Sequence, residues 1–263
     1  MSLDEAAVTL ISLAVATVIL VSRAIHASAL RAAGGPKFVV SAAPFGVGMV
    51  IFALLQEFAA SDVRTDIRYL LMYTVMGLAW ISVCGGVYRF YGLDVTRDWL
   101  ERRNAAAGVL WFGGLLAAGL AYAGGNFGDG PGWWVVVYSS GLATLTLLAL
   151  WFTLDRIADV TAQVTIDRSP AVAFRFATFL VVAGAILGRA AAGTWMGIGA
   201  ATSDFVRIGS AVILLAVLEA LLGRQTRPTA DTPRPSLVVA GLLPAAFYAF
   251  AGTFYLALVG RWS

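Results

Sequence analysis

The chain has 263 residues, of which 60% are hydrophobic and 13% charged, and its mean hydropathy is +0.83. A soluble domain is about 45–50% apolar and about 25% charged, so this composition excludes a soluble protein with one buried core and favours a chain solvated by lipid. The net charge of +3 is then explained by basic connections on the cytoplasmic side of a membrane, and nucleic acid is not expected as a partner.

Eight apolar stretches each approach the ~20 residues that an α-helix needs to cross a bilayer. Backbone polar groups in lipid must be bonded internally, so the stretches predict helices and the fold class is an all-α membrane protein with one domain over 1–263. The seventh stretch begins with Asp204 and Arg207, which are spaced to pair on one helical face. In chain order the predicted spans are 6–22, 38–59, 69–90, 104–124, 132–153, 170–191, 204–223 and 236–259.

Basic residues concentrate in every second connection between these spans. The even connections and the tails hold only Arg64, Arg68 and Arg261. The positive-inside rule therefore predicts that the odd connections face the cytoplasm and that both termini lie outside it. The basic residues of the odd connections are Arg23, Arg31, Lys37, Arg89, Arg97, Arg102, Arg103, Arg156, Arg168, Arg224, Arg227 and Arg234.

An internal repeat accompanies this alternation. Asp94-Val-Thr recurs as Asp159-Val-Thr after 65 residues, and at that offset eight of the 26 positions over 94–119 are identical. The polar matches predict that four two-helix hairpins arose by duplication, all in the same orientation, as in the halves of some transporters. The clearest units are 69–125 and 132–193, within tandem halves 1–125 and 126–263.

The sequence lacks the residues that several cofactors and reactions require. The only lysine, Lys37, lies at the mouth of a span, where it cannot hold retinal as a Schiff base, and His26 is alone, whereas haem in a helix bundle needs axial ligands. No span carries a cluster of metal ligands, and there is neither a phosphate loop nor a nucleophile elbow. The sequence therefore predicts no cofactor other than bound lipid and does not favour an enzyme.

Charged residues inside spans are the default functional candidates of a membrane protein. Arg175 is the deepest, roughly 8 Å from the start of its helix at ~1.5 Å per residue. Glu57 lies near the outer end of its span and Glu219 near the cytoplasmic end, so a structural role is expected for both. Pro44 and Pro244 should kink their helices and free one carbonyl each.

Small residues recur at spacings that allow helix backbones to approach closely. Gly184 and Gly188 in the sixth span are four residues apart, and the fourth span carries a similar series. This pattern predicts either close packing at the centre of the bundle or the lining of a narrow pore. It also suggests homo- or hetero-oligomers that associate through such faces.

The segments 103–108 and 112–116, Arg-Asn-Ala-Ala-Ala-Gly and Phe-Gly-Gly-Leu-Leu, resemble the uncharacterised bacterial inner-membrane family called domain of unknown function 350. In that family a polar cytoplasmic connection leads into a glycine-rich Asn-x-Ala-Ala helix, twice per domain and often in tandem. The resemblance covers roughly 91–195; Ser169-Pro-Ala stands where the second Asn-x-Ala would be. It implies location in a bacterial inner membrane and a soluble cytoplasmic partner.

Two functions remain open from the sequence. In the first, the protein is a non-catalytic membrane subunit or scaffold, with Asp94 and Asp159 forming a cytoplasmic docking face and Asn104 acting as a helix N-cap. In the second, it is a channel or carrier for a small solute or ion, with Pro44, Pro244 and Arg175 near the path. A dry centre packed by glycine and alanine favours the subunit, whereas a water-filled cavity that reaches Arg175 favours transport.

Overall fold

The computed structural model describes residues 2–30, 34–227 and 236–260, and these residues are helical with no strand. The all-α prediction is confirmed. Arg31, Arg234 and Arg261 lie outside the described residues. The α-helices are α1 Leu3–Ala29, α2 Gly34–Phe58, α3 Ser61–Thr65, α4 Ile67–Val87, α5 Ala105–Gly124, α6 Trp133–Ala158, α7 Val160–Thr165, α8 Pro170–Ala191, α9 Ile198–Gly209, α10 Ala211–Gln225 and α11 Leu243–Val259, with π-helices at Thr96–Glu101 and Leu237–Leu242.

Seven helices of the described part are long and apolar enough to cross a membrane, which is compatible with a multi-pass membrane protein. The seventh predicted span is a pair of helices, α9 and α10, bent by 43° at their junction. The pair adds an eighth crossing if it counts as one span. Asp204 and Arg207 pair at 2.8 Å on α9, as their spacing predicts.

The first helix is longer at both ends than its predicted span of 6–22. Ser2 opens it with a capping box, since its Oγ accepts from the Glu5 amide and the Glu5 carboxylate accepts from the Ser2 amide. The helix continues to Ala29 beyond the apolar stretch, so Arg23 lies within α1 and not in a connection. The Arg23 side chain is buried, with its guanidinium 5.2 Å from the centre of the Trp111 ring. Its assignment to the first cytoplasmic connection is therefore wrong.

Contacts between helix ends show that α1, α4, α6 and the α9–α10 pair run in one direction. Trp133 at the start of α6 donates to Asp4 at 3.2 Å, and Tyr69 at the start of α4 donates to Glu5 at 3.3 Å. Arg224 near the end of α10 donates to the carbonyl of Ile157 near the end of α6 at 3.3 Å. We call the end of the bundle that carries connections 88–104 and 155–169 the basic end, and the other the opposite end.

Helices α5 and α8 form the centre and make the most extensive helix–helix contact of the fold. They run in parallel, because Ala177 of α8 lies beside Gly113, about two turns into each helix, and Gly188 lies beside Gly124, the last residue of α5. At Gly184 an added Cβ would overlap the carbonyl of Ala117. The series of small residues is therefore used within the chain, and a predicted oligomer interface would have to lie elsewhere.

The two connections at the basic end share their backbone hydrogen bonds at the offset of 65 residues. In each, a short helix is followed within three residues by an exposed arginine with positive φ, which is 55° at Arg103 and 54° at Arg168. These arginines precede α5 and α8, which the repeat aligns. The hydrogen bond from Asp98 N to Asp94 O (2.7 Å) matches the one from Gln163 N to Asp159 O (3.0 Å). The hydrogen bond from Asn104 N to Asp98 O (3.0 Å) matches the one from Ser169 N to Gln163 O (3.0 Å).

Candidate functional site

Arg175 lies in the second turn of α8, near the basic end. Ser169 caps this helix with its Oγ, which accepts from the Val172 amide at 3.4 Å, and Pro170 occupies the first turn, where its missing N–H costs nothing. The arginine is 0% exposed, so its charge must be neutralised inside the protein.

The neutralising group is Glu219 of α10, which is also 0% exposed. Arg175 Nε lies 3.0 Å from both Oε1 and Oε2 of Glu219. Tyr248 of α11 donates its hydroxyl proton to Glu219 Oε2 at 2.8 Å. The ion pair thus joins α8 to α10. Tyr248 connects α11 to this pair, and its hydroxyl shares the charge of the carboxylate.

A proline supplies the next partner of Arg175. Pro244 has no N–H, so the carbonyl of Ala240, four residues earlier, cannot receive its usual α-helical hydrogen bond. The chain forms a π-helix over Leu237–Leu242, and the Ala240 carbonyl accepts from Arg175 Nη1 at 3.0 Å. Arg175 Nη1 also donates to Thr226 Oγ1 at 3.1 Å. We call Arg175, Glu219, Tyr248, Thr226 and the Ala240 carbonyl the Arg175 cluster.

The geometry of the Arg175 cluster favours holding helices over moving a solute. Its single positive and single negative charge cancel, and neither side chain contacts solvent. Among its polar side-chain atoms only Arg175 Nη2 is buried without a partner in the described structure. Breaking such a pair leaves an uncompensated charge, which costs far more than the intact pair contributes.

The sequence pointed to two members of this cluster and to the proline that frees its carbonyl, without bringing them together. Arg175, Glu219 and Pro244 were each predicted as candidates, and the carbonyl that Pro244 was expected to free is the Ala240 carbonyl, which Arg175 uses. Tyr248 and Thr226 were missed. Arg175 lies about six residues inside the basic end on α8, and Glu219 about as far inside it on α10, so matched depth and opposite charge could have predicted the pair.

Two other predicted candidates lie away from the cluster. Glu57 is exposed at the end of α2, and its backbone carbonyl accepts from Arg64 Nη1 at 3.3 Å. Pro44 lies inside α2, which continues through it as a single helix from Gly34 to Phe58. Neither residue contributes to a buried polar site.

Asn104 holds the position of an N-cap, but its side chain makes no capping hydrogen bond, so the predicted role is wrong. Its Nδ2 donates to the carbonyls of Val164 at 2.8 Å and Thr165 at 3.4 Å. The buried amide therefore ties the start of α5 to the end of α7. The bonded carbonyls lie in the other unit of the repeat, so a rule for local helix capping could not predict these hydrogen bonds.

Asp94 and Asp159 differ in exposure and in hydrogen-bond partners although the sequence repeat aligns them. Asp94 is partly buried; its Oδ1 accepts from the Thr96 amide at 3.0 Å, and its Oδ2 pairs with Arg89 at 3.4 Å. Asp159 is exposed, has a φ of 48° and pairs with Arg227 at 2.5 Å. Only Asp159 presents its side chain in the way that a docking face requires.

Asp98 is the fully buried charge of connection 88–104, and the sequence did not single it out. It accepts from Arg97 Nε at 3.1 Å and from Arg102 Nη1 at 3.4 Å, and its Oδ2 accepts from the Asp94 amide at 2.9 Å. The hydrogen bond that Arg97 donates to Asp98 is the main reason that the pKa of Arg97 is raised. Asp98 therefore keeps the connection in one conformation.

The unusual role of Asn104 gives a direct test. Asn104→Ala should lower the free energy of unfolding by about 1–3 kcal/mol, because it leaves two buried carbonyls without their donor. Asn104→Asp should cost more, because a carboxylate would then face those carbonyls. A true N-cap would accept aspartate as readily as asparagine. Equal stability of Asn104→Asp and the wild-type protein in detergent denaturation would therefore contradict the hydrogen bonds from Asn104 to the Val164 and Thr165 carbonyls.

No protein-family model, no curated protein and no solved structure matches this chain. The resemblance to domain of unknown function 350 therefore stays a prediction.

Proposed function

We propose that this protein is a non-catalytic subunit or scaffold of a bacterial inner membrane. In this proposal the chain crosses the membrane eight times as four hairpins, with both termini outside and the basic end in the cytoplasm. Its task is to hold a soluble partner protein at the membrane surface.

The closed centre of the bundle is the observation that carries the proposal. Helices α5 and α8 meet backbone to backbone, so no space for a solute remains between them. Arg175, the deepest predicted candidate for a transport path, is sealed by its own partners and has no exposure. A closely packed, small-residue centre is what a structural subunit needs and what a carrier must open.

The two similar connections at the basic end support the idea of a docking face. Arg103 and Arg168 are exposed, follow equivalent short helices and are 65 residues apart in the chain. Their shared backbone bonds also support the proposal that the hairpins arose by duplication. Two such arginines can contact two acidic groups of one partner or of a symmetric dimer.

The positive φ at both arginines allows a test that spares the fold. Glycine adopts this backbone conformation more easily than arginine, so Arg103→Gly with Arg168→Gly removes both side chains without backbone strain. We expect the double variant to lose at least ~90% of a partner that the wild-type protein retains, because each charged contact at an interface contributes about 1 kcal/mol or more. The measurement is gentle-detergent purification followed by quantitative mass spectrometry.

The control is Arg64→Ala, which removes an exposed arginine at the opposite end. It should retain the partner at the wild-type level. Equal retention by the double variant and the wild-type protein would contradict the docking face. A wild-type protein that purifies alone and catalyses solute flux in liposomes would contradict the whole proposal.

A carrier is the second candidate, and the bend between α9 and α10 favours it. The axes of α9 and α10 differ by 43°, and the pair packs on α8 beside the Arg175 cluster. Straightening the bend would move Glu219 of α10. Broken helices beside buried charges are a recurring feature of transporters. Solute flux that is lost in Glu219→Gln would support this candidate.

A further inference from the structure

Two arginines of the described chain are buried, and only one of them has a counter-charge. Arg175 is neutralised by Glu219 at 3.0 Å. Arg23 of α1 is 7% exposed, and among the described residues it forms neither a hydrogen bond nor an ion pair. The Trp111 ring, whose centre is 5.2 Å from the guanidinium, attracts the cation but does not cancel its charge. A buried charge without a partner is strongly unfavourable, so a further group is needed at Arg23.

The free donors of Arg23 lie on the edge of the guanidinium that recognises oxyanions. Its Nη1 is enclosed without a partner, as is Trp111 Nε1. Its Nε and Nη2 also have no partner among the described residues, but these two atoms are not enclosed. Together they form the planar fork that binds two oxygens of one phosphate or carboxylate group. The arginine therefore presents an unused bidentate site for an oxyanion.

Gly85 of α4 borders this edge of the guanidinium. A Cβ placed on Gly85 would lie 3.3 Å from Arg23 Nη2 and 3.5 Å from Trp111 Nε1, so both donor groups lie next to the same glycine. A larger residue would crowd them. The fold thus holds a cation and an indole N–H together without supplying an acceptor for either.

The charged groups around Arg23 leave a net positive charge. Arg89 and Asp94 act on it electrostatically, and they pair with each other, with Arg89 Nε 3.4 Å from Asp94 Oδ2. Asp94 is therefore already shared, and it could neutralise Arg23 only by releasing Arg89. Two arginines and one aspartate carry a charge of +1, which a single phosphodiester group would cancel.

The position of Arg23 favours a phospholipid as the source of this phosphate. Only four of the 27 residues of α1 are buried, so in a membrane lipid covers most of this helix. At ~1.5 Å per residue α1 is ~40 Å long, which is about 10 Å more than the hydrocarbon core. Arg23 lies six residues before the end of α1 at Ala29, so its long side chain reaches the headgroup layer at the basic end.

We propose that the Nε–Nη2 edge of Arg23 binds the phosphate of an anionic phospholipid, such as phosphatidylglycerol, in the leaflet at the basic end. Basic sites between membrane helices are suited to anionic headgroups. The phosphate has the role toward Arg23 that the Glu219 carboxylate has toward Arg175. The site goes beyond the scaffold role and does not depend on it, because a carrier would need the same neutralisation.

The test is native mass spectrometry of the full-length protein released from nanodiscs that contain equal amounts of phosphatidylglycerol and phosphatidylcholine. We expect the wild-type protein to retain phosphatidylglycerol and Arg23→Met to retain at least about tenfold less, the scale of hydrogen bonds to a charged group. Arg23→Lys keeps the charge without the fork and should retain an intermediate amount. Phosphatidylglycerol should also raise the unfolding midpoint of the wild-type protein but not that of Arg23→Met.

Arg156→Met is the matched control. Arg156 also lies over an aromatic ring at the basic end, 4.9 Å from the centre of Phe152, but it is exposed. This variant should retain phosphatidylglycerol as the wild-type protein does. Excess inorganic phosphate should not displace the lipid, whose acyl chains keep it in the bilayer.

Four outcomes would each overturn the proposal. They are equal retention of phosphatidylglycerol by Arg23→Met and the wild-type protein, equal loss in Arg156→Met, no preference for phosphatidylglycerol over phosphatidylcholine, and displacement of the lipid by inorganic phosphate. The last outcome would assign the site to a soluble ion. A lipid that is retained through Arg23 while no partner protein co-purifies would leave this site in place and contradict only the scaffold role.

Discussion

Replacing Arg175 by methionine should be among the most destabilising single changes in the protein. The substitution preserves much of the side-chain volume but leaves Glu219 buried without its cation, with only the Tyr248 hydroxyl to share the charge. Removing one partner of a buried ion pair costs about 3–5 kcal/mol. We expect a loss of that size in the free energy of unfolding, measured by reversible denaturation in mixed micelles.

Changing both partners separates charge from packing. Arg175→Met combined with Glu219→Leu removes the ion pair and leaves apolar side chains of similar volume, an exchange that is often neutral or stabilising. The double variant should therefore recover most of the stability lost in Arg175→Met. A double variant as unstable as the single one would contradict the view that an unpaired Glu219 causes the loss.

The same double variant distinguishes the two proposed functions. If the Arg175 cluster only holds α8, α10 and α11 together, the folded double variant should still bind the proposed partner protein. A carrier that depends on the charge of Glu219 would instead lose solute flux while remaining folded. Partner retention and flux should be measured on one preparation, so that a folding defect cannot mimic either result.

The seven long apolar helices could be predicted because length and hydropathy decide them. A stretch of about 20 apolar residues has few alternatives in lipid. The ends were harder, since a helix can continue past the apolar stretch when its polar residues find partners. Arg23 shows this: α1 carries it one and a half turns before Ala29, where Trp111 covers its guanidinium.

The candidate site was predictable only in parts. Arg175 and Glu219 are visible as charges within spans, but their pairing depends on which helices are neighbours, and hydropathy carries no such information. Asn104 illustrates the same limit, because its amide bonds to carbonyls 60 and 61 residues away. Local rules describe what a side chain can do within its own turn, whereas tertiary packing decides which partner it takes.

Alanine at both Gly184 and Gly188 should separate the central helices. A Cβ at Gly184 would overlap the Ala117 carbonyl, and one at Gly188 would overlap the Leu120 carbonyl, so both clashes are with backbone that cannot rotate away. Inserting a carbon into a packed core costs about 1–3 kcal/mol per site. Helices in lipid gain little from apolar burial alone, so the lost close contact is not replaced.

Two other membrane glycines provide a matched control. Gly46 in α2 and Gly86 in α4 have nothing within 4 Å of an added Cβ. The Gly46→Ala and Gly86→Ala double variant should be as stable as the wild-type protein or more so, because alanine is favoured over glycine in a helix by about 1 kcal/mol. Equal unfolding midpoints for the two double variants would mean that α5 and α8 are not in backbone contact, and the closed centre that supports a scaffold over a carrier would be lost with it.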